Sequence, residues 1–324
     1  MNIRQLRYIS AVARHGLNVS AAAESLYTSQ PGVSKQIRQL EDELGVQIFE
    51  RNGRQLTRIT PAGKAIIELA DRTLIEVDTI KEAALEFSDS TRGKLSIAAS
   101  HTQARYALPS VIKRFVTKYP RVAIQLHQGT PLQIAELAME GKVDLAIATE
   151  ALEHFEDLVM LPCYRWHRTV VVPEGHPLCD ARPLTLEALS EHPLATYVFG
   201  FTGRSPLDAA FKEHGLEPKI AFTATDADII KTYVRAGIGV GIIARMAVDE
   251  ERDADLRALD ASGLFEPSTT KIGFRRATFL RRYTYDFIEL FAPHLKRELV
   301  DTAVQLRSKA AVDPLFVDVE LPVY

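Results

Sequence analysis

A chain of 324 residues is too long for one simple core and has room for two or three domains. With 46% apolar and 25% charged residues the balance is ordinary for a globular protein, and no apolar run reaches about 18 residues, so no membrane span is expected. A net charge of −3 argues against a general coat for nucleic acid, and two cysteines, Cys163 and Cys179, without clustered histidines give no metal site and fit a reducing, cytoplasmic setting.

The opening stretch MNIRQLRYISAVARHG has charges throughout and no apolar centre, so it does not read as a signal peptide. Leu6, Ile9, Val12 and Ala13 fall at helical spacing and predict a first helix. Ser20 can cap a second, AAAESL, whose alanines permit close approach. After a short YTS turn, Ser29 can cap a third helix with Pro31 in its first turn, where a missing N–H costs nothing. Val33, Ile37, Leu40 and Leu44 form its apolar face. The opposite face offers Gln30, Ser34, Lys35 and Arg38, polar groups that packing does not need.

FERNGRQLTRIT follows. Asn52-Gly53 is a strong hairpin turn between two short runs. Residues 51–64 carry Arg51, Arg54, Arg58 and Lys64 and no acid. Two short helices, a tight turn and a basic hairpin predict a helix-turn-helix with a wing, in which the third helix reads DNA and the hairpin meets phosphates. A small helical subdomain without a ligand would explain the helices but not the hairpin.

Here the sequence resembles the LysR-type transcriptional regulators, through LRYISAV, the AAA of the second helix, SQPGVSKQIRQLEDELGVQIFER and LTRITPAG. The resemblance implies a winged helix-turn-helix that docks as a dimer on operator DNA. It places Gln30, Pro31, Ser34 and Lys35 at base edges or adjacent phosphates and Arg51 in the wing; Arg38 shares their face. Physical chemistry adds that Gln and Lys can read bases, whereas Lys and Ser more often set position on phosphate.

Beyond Pro61, the residues Ile66, Ala70, Leu74, Val77, Ile80, Ala84 and Phe87 recur at steps of four and three. This predicts one long helix over 61–88 that pairs with a partner helix, the alternative being a helix folded onto its own domain. DSTRG, residues 89–93, reads as a hinge.

From Lys94 the period changes. KLSIAAS, VAIQLHQ, VDLAIATE, ATYVF, KIAFTAT, VGIIA and TKIGFR read as strands between helical patterns, which predicts parallel α/β layers in two subdomains with a cleft between them. The expected boundaries are 1–60, 61–88 and 89–324, with subdomain I about 93–163 and 268–300 and subdomain II about 164–267. Ligands in open α/β sheets collect at the carboxyl ends of strands. Three such ends are suited: SHTQARY, with Ser100, Thr102, Gln103 and a helix N-terminus; ATE, with Thr149; and FGFTGRS, with Thr202. Thr225 and Asp226, in a fourth such segment, are explained by capping alone.

HTQARYALP, LAIATEAL, DLVMLPCY, FGFTGRS, TATDADIIKTYVRAGIGVG, TTKIGFRRATFLR and YDFIELFAPHL sharpen the resemblance to the CysB branch, the regulators of cysteine biosynthesis and sulfur assimilation. That branch implies a homotetramer, an effector domain resembling periplasmic binding proteins, contact with RNA polymerase, and an effector such as N-acetylserine or O-acetylserine opposed by sulfate or thiosulfate. It implies pocket roles for Thr102, Gln103, Thr149 and Thr202; Ser100 stands where the branch leads one to expect threonine, keeping the hydroxyl and losing a methyl. A sister branch that governs sulfonate use shares many of these blocks.

Catalysis is not indicated. There is no GxSxG elbow, no GxGxxG after a strand and no GxxxxGK[ST], so neither a nucleophile nor a nucleotide or other cofactor is expected. A solute-binding transport protein would explain residues 94–300 but not the first 88, and it would need an export signal. The stretch from Ala310 to Tyr324 has no functional reading from sequence.

Overall fold

The computed structural model of the protein describes residues 1–53, 55–149, 155, 157–199, 204–276, 278–306 and 308–324. Thr202 and Arg54 fall outside them. Contacts divide the chain into two units, Met1–Ser88 and Asp89–Tyr324. Among the described residues no helix is long and apolar enough to cross a membrane.

In the first unit, Asn2 and Gln5 form a reciprocal capping box at the start of α1 (Ile3–Arg14). The second helix, α2 (Val19–Ser25), is capped by Asn18 rather than Ser20, one residue into the helix. The Asn18 carbonyl oxygen accepts from Ser20 N at 3.1 Å and Ala21 N at 3.0 Å, so one amide satisfies two free donors. Ser29 caps α3 (Gln30–Leu44) through Gly32 N at 3.3 Å, with Pro31 in the first turn. Gly45 ends the helix at φ +69, a left-handed cap that glycine adopts without strain. Val33, Ile37 and Leu40 are buried, but Leu44, in the last turn, is 39% exposed and has left the apolar face.

The hairpin pairs β1 (Phe49–Asn52) with β2 (Gln55–Ile59), turning at Gly53 with φ +63. The long helix α4 (Pro61–Ser88) then runs unbroken. Its first half folds back on its own unit: Ile67 and Ala70 are buried, and Ile66 and Leu74 pack on the same core as Ile9, Val12, Ile37, Leu40 and Phe49. Asp71 fixes the contact, receiving bonds from Ser10 Oγ and from Arg14 Nη2 at 3.0 Å. Only the second half leaves its stripe open, with Ile80 and Phe87 strongly exposed. The expected seam is therefore partly intramolecular.

The second unit contains two five-stranded sheets. The strands are β3 (Arg92–Ala99), β4 (Arg121–Gln128), β5 (Leu145–Ala148), β6 (Leu158–Trp166), β7 (Arg168–Pro173), β8 (Leu194–Tyr197), β9 (Ile220–Ala224), β10 (Val240–Ala244), β11 (Leu256–Asp260) and β12 (Ser268–Arg275). Their orders are β4-β3-β5-β12-β6 and β11-β7-β10-β8-β9. The sheets are mixed rather than parallel: β12 runs antiparallel to β5 and β6, and β7 antiparallel to β10 and β11. Sequence periodicity named neither β6 nor β7. Both are buried almost throughout, which removes the alternation that marks a half-exposed strand.

The helices are α5 (Leu108–Lys118), α6 (Pro131–Met139), α7 (Leu186–Ser190), α8 (Arg204–Glu213), α9 (Ala227–Arg235), α10 (Arg282–Phe291), α11 (Arg297–Gln305) and α12 (Lys309–Val312). The segment read as a hinge is well bonded: Asp89 Oδ1 accepts from Thr91 N at 3.0 Å and Thr91 Oγ1 at 2.6 Å, and Arg281 donates to the carbonyls of Asp89 and Arg92.

The chain passes from one sheet to the other at His167 and returns between β11 and β12. Arg168 ties the two crossings together. It is 3% exposed, donates to Glu266 O and Ser268 Oγ at 3.1 Å each, and lies over the rings of Trp166 and Phe265. Residues 322–324 join the same place through an isolated parallel bridge between Val323 and Arg165 of β6. Arg165 N donates to Pro322 O and Tyr324 N to Arg165 O, both at 2.8 Å, and His167 N donates to Tyr324 O at 3.0 Å.

Where α4 leaves the hairpin, backbone meets backbone. A Cβ on Gly63 would lie 2.0 Å from the carbonyl oxygen of Ile48. Gly63→Ala should cost ~1–3 kcal/mol through forced displacement, measured as a fall in the melting temperature of the full chain.

Candidate functional site

The candidate reading face is the exposed side of α3. Gln30 Nε2 donates to Ser34 Oγ at 3.1 Å, one turn away. That bond restrains a long side chain and leaves the Gln30 carbonyl and its second N–H for a base edge. Pro31, Lys35 and Arg38 are exposed beside it, and the first turn of α3 holds no acidic residue.

Arg51 has a different setting. Its guanidinium pairs at 2.5 Å with Glu41, whose side chain is only 6% exposed. The other Glu41 oxygen accepts from Ile48 N at 2.9 Å and Phe49 N at 3.1 Å. A buried carboxylate thus pins the base of the hairpin to α3, and Arg51 supplies its countercharge. In the wing, Arg58 is exposed and bonds Glu50 at 2.7 Å, which holds the Glu50 carboxyl below its usual range. Such a surface pair opens at little cost, so Arg58 can exchange Glu50 for a phosphate.

In the second unit, Ser100, Thr102 and Gln103 follow β3 and are all buried. The sequence predicted a plain helix start here. Instead Gln103–Ala107 form a π-turn that passes into α5, and no side chain caps it. Gln103 is fully engaged within its own subdomain: Nε2 donates to Thr270 Oγ1 at 3.1 Å, and Tyr164 OH donates to Oε1. Thr149 Oγ1 lies 3.4 Å from the same Thr270 hydroxyl. Thr270 and Tyr164 thus join the site, and no local pattern marked them. Gln103 orders this network more than it offers itself to a ligand.

Thr102 is the opposite case. Its hydroxyl is buried yet has no well-aligned hydrogen bond among the described residues. It faces Tyr197, from the other subdomain, whose own OH accepts from Ala244 N at 3.2 Å. Burial pushes the Tyr197 hydroxyl up to about 12, with the Ala244 N–H and the neighbouring Thr102 hydroxyl pulling it the other way. A buried hydroxyl without a full partner is costly, and a bound ligand oxygen would satisfy it.

Thr149 lines a cavity of about 260 Å³ together with Pro206 of α8, residues Glu266 to Thr269 of the return crossing, and Lys271. One cation, Lys271, and one anion, Glu266, therefore share this wall with the neutral hydroxyls. A larger cavity of about 360 Å³, lined by residues including Tyr106, Arg114, Tyr164, Leu290 and Tyr324, contains none of the strand-end residues. Thr202 and Glu150, at two of the predicted strand ends, lie outside the described residues.

Residues 3–64 match the family described as bacterial regulatory helix-turn-helix protein, lysR family, and residues 88–296 match the LysR substrate binding domain. The chain belongs to the LysR family of transcriptional regulators. It is 54% identical to the HTH-type transcriptional regulator CysB of Haemophilus influenzae, over 99% of each chain. It is 51% identical to the regulator SsuR of Burkholderia cenocepacia, over 91% of this chain and 96% of that one. A crystal structure of the cofactor-binding domain of the Cbl regulator, 42% identical, superposes with a TM-score of 0.65 over 67% of this chain and 95% of its own. These relatives are regulators, so this LysR protein is a DNA-binding regulator and not an enzyme.

Two substitutions separate reading from bracing. Gln30→Ala should weaken binding to the specific operator by ~1–3 kcal/mol and leave random DNA nearly unaffected, as measured by titration on both. Arg51→Ala should lower thermal stability by ~1–3 kcal/mol, because Glu41 then keeps a buried charge without its partner.

Proposed function

We propose that this regulator controls genes of sulfur assimilation and cysteine biosynthesis in the cytoplasm, switching with a small effector such as N-acetylserine or O-acetylserine. Sulfate or thiosulfate acts as the opposing ligand. What carries the reading is the likeness to CysB over the full length of both chains. The cleft chemistry supports it: a buried, incompletely bonded Thr102 hydroxyl beside Ser100 suits a small polar or anionic oxygen ligand. Thr149 and Thr202 complete the proposed contacts, and Gln103 braces the segment that carries Ser100 and Thr102.

On DNA, Gln30, Pro31, Ser34, Lys35 and Arg38 face the groove and its phosphates, with Arg51 bracing the wing. The exposed half of α4 pairs two chains, the tetramer joins two such pairs, and RNA polymerase is the partner at the promoter. A second reading has its own support, since SsuR at 51% identity is almost as similar as CysB. In that reading the protein governs sulfonate or other alternative sulfur sources with the same machinery.

Thr102→Val keeps the shape and removes the hydroxyl. N-acetylserine affinity, measured by calorimetry on the full chain, should fall about tenfold, the size of one lost hydrogen bond, with no loss of thermal stability. Unchanged affinity would remove Thr102 from the effector site.

For the dimer, Leu74 is the wrong place to probe, because it packs on its own unit. Ile80→Glu with Phe87→Glu should instead halve the sedimenting mass by placing charges in the seam, and specific DNA affinity should fall with it. An unchanged mass would move the interface elsewhere.

A further inference from the structure

The segment that carries Ser100, Thr102 and Gln103 also reaches across to the other subdomain. Tyr106 OH donates to Asp228 Oδ1 at 2.8 Å, and the Arg105 guanidinium pairs with the other oxygen of Asp228. His101 Nε2 lies 3.7 Å from Asp226 Oδ2. Both acids sit at the start of α9. Asp226 caps that helix through Ile229 N at 2.8 Å, and Asp228 is backed by Lys231 at 3.2 Å. Lys231 is itself buried and bound to Asp253 at 2.7 Å and to Ala247 O at 2.8 Å. The acceptor side is therefore held firmly, whatever the cleft contains.

One short segment serves both sides. His101, just ahead of the π-turn, and Arg105 and Tyr106 within it meet α9. Gln103, between them, turns inward to Thr270 and Tyr164. The three groups His101, Asp226 and Asp228 also lie close enough to suggest a cation site. Asp228 already faces Arg105 and Lys231, and one Asp226 oxygen is engaged in capping, so a cation finds the charge answered.

We propose that Arg105 and Tyr106 are positioning residues that latch the effector segment to α9 through Asp228, making occupation of the cleft and approach of the two subdomains one event. The proposal rests on the cleft reading above. A ligand shifts such an equilibrium only by binding its two states differently, and the latch supplies that difference at residues the ligand does not touch. It also gives the effector a route to α9, on the far side of the cleft from the loop it binds.

Hydrogen exchange on the full chain, with N-acetylserine and separately with sulfate, tests this. In the parent, a bound ligand should slow exchange at residues 100–107 and also at 227–231. In Arg105→Ala combined with Tyr106→Phe, slowing should persist at 100–103 and vanish at 227–231, with affinity about five- to tenfold weaker. Arg105→Lys, which keeps the charge, should restore most of both, a recovery that simple loss of packing would not predict. Undiminished slowing at 227–231 in the double variant, at unchanged melting temperature, overturns the latch. If neither probe slows exchange at 100–103 in the parent, the cleft reading fails and the latch with it.

Discussion

The buried guanidinium of Arg168 is the constraint on which the effector unit depends. An arginine cannot shed its charge, so in the interior it must be surrounded by acceptors. Here two of them, Glu266 O and Ser268 Oγ, belong to the return crossing, while Arg168 itself begins the outward one. The two strands that join the subdomains are thus fastened side by side at the base of the cleft. That fastening helps set how the two subdomains face one another across the cleft, where Thr102 meets Tyr197 and where Arg105 and Tyr106 meet Asp228.

Much of the first unit was legible because its signals are local. A cap, a proline in the first turn, a three-four repeat and an Asn-Gly turn each act within a few residues, and α3 and the hairpin appear where those signals put them. What local signals miss there is short-range as well: Asn18, not Ser20, reaches the two free donors of α2, and Leu44 lies in a last turn that has left the apolar face. The charge of Arg51 is plain in the sequence, but not that Glu41, ten positions earlier, is buried and pairs with it.

The effector unit was legible as a pattern of strands and helices but not as a site. Gln103 illustrates why. In sequence it is an amide at a strand end, a ligand donor by type. In the structure its partner is Thr270, 167 positions away, brought alongside only when β12 returns between β5 and β6. Tyr164 and Thr270 were hidden for the same reason. Thr102 follows β3 as its spacing suggests, yet its particular interest, a buried hydroxyl lacking a full partner, depends on everything packed around it.

The bridge at residues 322–324 bears on how the edge of a sheet is finished. β6 is an outer strand of its sheet, paired on one side with β12. An outer strand with bare N–H and C=O groups is a template on which a foreign chain can add itself. Here the three residues occupy the N–H and C=O of Arg165 and the N–H of His167, so one end of that margin is closed by a piece of the chain itself. The same residues set the Tyr324 ring against Tyr164, so closing the edge and packing the subdomain are a single contact.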